Sequence, residues 1–247
     1  DFLKRDSFFS GVSEGVINTD RIIKMMNVAN DELVVEAKGI YSIEKFIIAR
    51  RLMYWQVYLH KTVLAAENML IKILERARYV LHHKKTKLDG SPTLLYFLKN
   101  NISLEAIKNN DDIFEKYSEL DDYDVFTSIK IWTKCSDNVL SALSNMLVRR
   151  SLFKTEIQNQ AFSAERIREV QNSVRKKYSL SEEESTYYVI SNSISNNAYD
   201  PEHDAIKLLY KDGSMLKLTE ASEQLNISIL SKKVQKHFLC YPKFLDL

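Results

Sequence analysis

Residues 42–81, SIEKFIIARRLMYWQVYLHKTVLAAENMLIKILERARYVL, carry the longest helical pattern in the chain. Ser42 and Glu44 open it, and at about 1.5 Å per residue it would run about 60 Å, longer than one small domain. Such an element forces the rest of the chain to pack along it, so a central helical spine is expected. Within it, Arg50, Tyr54, Tyr58 and Lys61 fall at roughly 0°, 40°, 80° and 20° on a helical wheel. They make one polar and aromatic stripe on a helix otherwise rich in Ile, Leu, Val and Met. The stripe is either the wet edge of an amphipathic helix or the wall of an anion pocket. Arginine offers a planar fork suited to phosphate, lysine a compact charge, and tyrosines ring faces and hydroxyls.

Helical patterns dominate on both sides of the spine. Residues 1–10 read as a helix broken at Gly11, with Asp1 and Arg5 one turn apart. A short helix follows, capped by Asn18 or Thr19, and then a hairpin about Asn30-Asp31. Beyond the loop HHKKTKLDGSP, residues 92–150 read as further helices. After that the periodicity fades. LFKTEI reads as a strand, the helix after Ser163 is capped by it, TYYVISNSIS reads as β, and a hairpin turns at Asp212-Gly213. The expected fold is mostly α with an α+β C-terminal tail. Residues 1–155 form the helical body and residues 156–247 the tail, which could serve oligomerisation or regulation.

Composition excludes several classes. The 247 residues are 45% hydrophobic, enough for one large domain or two small ones. Lys and Arg number 35 against 33 acidic residues, so any electrostatic function is local. Basic patches at 84–87, 149–150, 175–177 and 232–236 are small, and a nucleic-acid surface is disfavoured. No apolar run approaches a membrane span, and no signal peptide opens the chain. Cys135 and Cys240 read as free thiols in a reducing cytoplasm. His203-Asp204 lacks further ligands at metal spacing. The acidic clusters at 111–112, 121–124 and 182–184 lack a calcium-loop pattern and read as solvated faces or helix N-terminal charges.

Three segments, DFLKRDSFFSGV, ARRLMYWQVYLHK and RRSLFK, resemble the HD-domain phosphohydrolases of the deoxynucleoside triphosphate triphosphohydrolase branch. Asp1, Phe2, Arg5 and Asp6 match one family motif. Arg50, followed eight residues later by Tyr58, His60 and Lys61, matches another. Arg150, Leu152, Phe153 and Lys154 match a third. The resemblance covers roughly residues 1–155 and implies a helical HD-type body around one long central helix. It implies that Phe2, Asp6, Arg50, Tyr54 and Tyr58 line a substrate pocket. His60, Lys61, Arg150 and Lys154 would then lie near phosphate or an effector nucleotide.

Leu59 departs from the pattern, since some members carry a base-reading glutamine there. The family's metal ligands precede the segment that opens this chain, so it reads as the C-terminal part of such an enzyme. The resemblance implies a divalent metal such as Mg, Mn or Fe held upstream, a nucleotide substrate, an N-terminal metal-binding partner segment and homo-oligomers. This segment alone is expected to be inactive. A non-catalytic helical binding or scaffolding module is the rival reading.

Overall fold

The computed structural model describes residues 2–84, 87–196, 199–203, 205–222 and 234–243. Asp1 and Asp204, with parts of the 84–87 and 232–236 basic patches, lie outside the described residues.

In chain order the elements are α1 (Phe2–Ser10), α2 (Thr19–Met25), β1 (Met26–Ala29), β2 (Glu32–Glu36), α3 (Ile40–Met53), α4 (Lys61–His83), α5 (Pro92–Lys99), α6 (Leu104–Asn109) and α7 (Asp111–Glu119). They continue with α8 (Asp122–Trp132), α9 (Asn138–Val148), β3 (Lys154–Gln158), α10 (Ala164–Tyr178), α11 (Glu182–Ser185), β4 (Ile190–Asn196), β5 (Lys207–Leu209), β6 (Met215–Lys217), α12 (Leu218–Ala221) and β7 (Val234–Tyr241). The chain is therefore mostly α with β structure concentrated in its C-terminal part. One sheet runs β1-β2-β5-β6 and another β3-β7-β4.

Local chemistry explains most boundaries. Side chains of Asn18, Ser91, Ser103, Asn110, Asp137 and Ser163 each accept a backbone N–H at a helix start. Asp121 with Asp124, and Ser181 with Glu184, close reciprocal capping boxes. The three acidic clusters thus occupy the first turns of α7, α8 and α11, where the helix dipole favours them. Asn30 and Asp31 both take positive φ, 52° and 61°, in the β1–β2 turn. That is the geometry a tight hairpin demands.

The spine differs from a single continuous helix. Its residues are helical from Ile40, but Tyr54–Tyr58 form a π turn and regular helix resumes only at Lys61. The Leu59 N–H reaches back five residues to the Tyr54 carbonyl at 2.7 Å, a wider ring that periodicity alone does not reveal. Two β expectations also shift. In TYYVISNSIS the strand begins only at Ile190, and the segment after β6 closes as the short helix α12.

The chain divides into two compact units. The first comprises residues 1–63, 158–161 and 193–237, and the second residues 64–157, 162–192 and 238–247. In the first, β5 adds in parallel to β2, with Val35 opposite Leu208 and Glu36 opposite Leu209. Packing thereby joins the C-terminal hairpin to the start of the chain. Val35, Ile43, Ile47, Tyr199, Leu208 and Leu218 form its buried cluster. Each such aliphatic side chain contributes about 1.5–3 kcal/mol by leaving water. Gly15 sits where a Cβ would stand 2.6 Å from Ser7 Cβ and 2.8 Å from Met53 Sδ, so α1 and α3 approach only because it has no side chain.

In the second unit, α4 buries Leu64, Ala65, Met69, Ile73, Arg76, Ala77 and Val80 along one stripe, the spacing of an amphipathic helix. Arg76 is charged and nevertheless 2% exposed. Its guanidinium donates to both oxygens of Asp137, at 3.0 and 2.9 Å, and Lys84 donates to the same carboxylate. Burial works to raise the Asp137 carboxyl, but these hydrogen bonds prevail and hold it down at about 2.

Candidate functional site

The first unit holds a cleft of about 600 Å³ lined by α1, residues Ile17 and Thr19, and the face of α3 that runs into the π turn. Its walls include Phe2, Asp6, Arg50, Tyr54 and Tyr58 together. Five residues from two sequence segments more than forty positions apart therefore share one concave surface. Clefts of this size, mainly apolar with a few convergent polar groups, suit small-molecule ligands.

The polar groups are ordered by one another. The Tyr58 hydroxyl donates to Asp6 Oδ2 at 2.6 Å, and Arg5 Nε donates to Asp6 Oδ1 at 2.8 Å. The Arg5 bond, then the Tyr58 bond, lowers the Asp6 carboxyl below its ordinary value. Desolvation, reinforced by the bond to Asp6, pushes the Tyr58 phenol up to about 12. Asp6 is therefore an anion and Tyr58 a neutral donor at ordinary pH. A carboxylate has roughly four acceptor positions and only two are used here, so Asp6 can accept further hydroxyl donors.

Cations and rings alternate along the wall. The Arg50 guanidinium lies 5.3 Å from the Tyr54 ring centroid, and Arg5 lies 4.8 Å from that of Phe2. Tyr54 and Tyr58 meet edge to face, 5.1 Å apart at 72°. Phe2 keeps 70% of its surface exposed, an apolar face available to a sugar or base. The cleft thus offers a guanidinium for an anion, a carboxylate for a hydroxyl and ring faces for a flat or puckered group.

Other expected site residues lie elsewhere. Lys61, on the same wheel stripe as Arg50, is not among the cleft's lining residues, because the stripe is cut at Leu59–His60. His60 accepts the Thr62 N–H through Nδ1 at 3.3 Å. In the second unit, Arg150 is exposed with a left-handed φ of 57° and its N–H donates to the Leu147 carbonyl. Lys154 pairs with Glu156 at 3.6 Å and lies 5.5 Å from the Tyr241 ring.

Sequence reasoning passed over Arg5 and Phe46 as lining residues. Arg5 was visible inside the aspartate-aromatic motif, and Phe46 stands one helical turn before Arg50. His203 bonds Asp200 at 3.0 Å in an exposed turn. Among the described residues, no group of three or more His, Cys, Asp or Glu side chains could hold a metal ion.

Residues 17–90, which include α3 and part of the cleft, match a family described as the HD-associated region. The chain is 48% identical to a phosphohydrolase of Bacteroides thetaiotaomicron of known crystal structure. The TM-score is 0.89, over 98% of this chain and 60% of that one. It is 30% identical to the uncharacterized protein YwfO of Bacillus subtilis over 250 residues, 98% of this chain and 54% of that protein. A hypothetical protein of Aquifex aeolicus, 19% identical with a TM-score of 0.59, shares the fold alone. The chain thus spans little more than half the length of these relatives. Among the described residues, no helix is long and apolar enough to cross a membrane.

Proposed function

We propose that the α1–α3 cleft is the substrate wall of an HD-type phosphohydrolase acting on nucleotides, with deoxynucleoside triphosphates as the favoured substrates. The observation that supports this most is the Asp6 carboxylate, held by Arg5 and Tyr58 beside the Arg50 and Tyr54 wall. Arg50 would neutralise phosphate charge, Asp6 would accept a sugar hydroxyl, and Phe2 with Tyr54 and Tyr58 would pack against the sugar. A divalent metal would be held by a further segment of the same protein, in keeping with relatives nearly twice as long. That metal would supply activated water. The complete protein would act as a homo-oligomer.

The test is calorimetric titration of deoxynucleoside triphosphates into this chain and its Arg50→Ala variant. Losing one charge-assisted contact of about 1.5–3 kcal/mol weakens binding by roughly tenfold or more. Equal affinity in a folded variant removes Arg50 from the substrate wall. The absence of saturable binding to the parent chain removes the nucleotide reading.

A further inference from the structure

The second unit carries a separate cleft where the loop 87–90 lies against the end of α8 and the α8–α9 turn. We infer that this cleft binds a polyphosphate group through Lys87, Lys130 and Lys134. This site is independent of the α1–α3 cleft, and the inference does not rest on the function proposed for it.

The cleft is about 660 Å³, large enough for a phosphate chain and a small organic group. Its floor is built from fixed contacts. Leu88 is buried, and the wholly buried Trp132 donates its indole N–H to the Asp89 carbonyl at 2.7 Å. The Ser91 N–H donates to Ser128 Oγ at 2.9 Å, and Gly90 lies so close that a Cβ would stand 3.0 Å from that oxygen. The loop's backbone is therefore held in place.

Three lysines line this cleft, Lys87, Lys130 and Lys134. Thr127 and Lys130 stand three positions apart on one face of α8, and Lys134 follows in the turn after Trp132. Lys87 lines the same cleft from the loop, and Thr127 and Ser136 bring hydroxyl groups to it. Three ammonium groups meet one lining carboxylate, Asp89, which lies 3.3 Å from Lys87 with both side chains exposed. Such a pair is weak and exchanges readily for a better anion. Among the described residues, no carboxylate stands within ion-pair distance of Lys130 or Lys134. Elsewhere the chain nearly balances its charges, so this cluster is a local excess facing a shaped cavity. Several compact ammonium charges suit an anion bearing several charges along its length better than a single carboxylate.

Trp132 reports on the site. In a Trp55→Phe background it is the sole remaining tryptophan of the two in the chain. Inorganic tripolyphosphate should then change its fluorescence saturably. Reversing both charges, Lys130→Glu with Lys134→Glu, should weaken this binding at least about tenfold. The neutral pair Lys130→Gln with Lys134→Gln should give a smaller loss, while Lys176→Glu on α10 should leave affinity within about twofold. The loss of deoxynucleotide affinity caused by Arg50→Ala is the same with and without the lysine reversals, so the two sites are read separately. Tighter binding of a nucleoside triphosphate than of tripolyphosphate at Trp132 would show that the nucleoside is held too. Equal binding would show that the phosphate chain alone is recognised. Undiminished binding by folded charge-reversed protein, or an equal effect from sulfate at matched ionic strength, would overturn the assignment.

Discussion

The Tyr58 hydroxyl and the Asp6 carboxylate meet at 2.6 Å although 52 positions separate them in sequence. That bond ties the opening helix to the π turn after α3. Second to the Arg5 hydrogen bond, it lowers the Asp6 carboxyl, and second to desolvation, it raises the Tyr58 phenol. Removing the hydroxyl with Tyr58→Phe leaves Asp6 only its Arg5 donor. The Asp6 carboxyl should then titrate at higher pH than in the parent, measurable by carboxyl-resonance NMR. An unchanged Asp6 midpoint would show that the bond does not persist in solution.

The same bond makes a prediction at alkaline pH. The folded-state pKa of Tyr58 is raised from an ordinary value of 10 to about 12. Its contribution to stability is therefore complete below about pH 10 and is lost as pH rises through 12. Ultraviolet titration of the parent should show a late-ionising tyrosine that is missing from Tyr58→Phe.

The buried Arg76–Asp137 pair governs acid stability. Asp137 lies near 2 in the folded state against 3.8 for the free side chain. Its contribution, about 2 kcal/mol, is present above pH 4 and is lost as pH falls toward 2. Chemical denaturation across that range should show the midpoint falling in the parent, with a shallower fall in Asp137→Asn. The variant should also be about 3–5 kcal/mol less stable at neutral pH, because Arg76 keeps its buried charge without its partner.

Gly15 tests the approach of α1 to α3. Alanine there would press Ser7 and Met53, so Gly15→Ala should destabilise the chain by about 1–3 kcal/mol. Since Tyr58 and Asp6 are carried by the elements being forced apart, ligand affinity at the cleft should fall with stability. A variant as stable as the parent would mean that α1 shifts freely.

A residue at a helix start tests the simplest local rule. Ser163 accepts the Arg166 N–H at 3.1 Å at the start of α10. Ser163→Ala should cost about 1 kcal/mol in a thermal unfolding experiment without altering ligand binding.

The features legible from the residues alone are those decided within a few positions. Asn18 and Ser163 cap their helices because a short polar side chain can reach an N–H three residues on. Asn30-Asp31 and Asp212-Gly213 turn hairpins because they tolerate positive φ or bond their own backbone. Periodicity likewise located the span of α3 and α4 and the stripe that begins at Arg50.

What only the tertiary structure decided depends on groups far apart in the chain. The π turn at Tyr54–Tyr58 widens the backbone ring and leaves Arg50, Tyr54 and Tyr58 on the cleft wall without Lys61. The parallel pairing of β2 with β5 and the bidentate Arg76–Asp137 bond join residues whose local sequences carry no sign of each other. Periodicity and propensity describe one segment at a time. Long-range pairing is set by burial of apolar surface and by the cost of leaving a charge or N–H unpaired inside the protein, which exist only once distant segments have met.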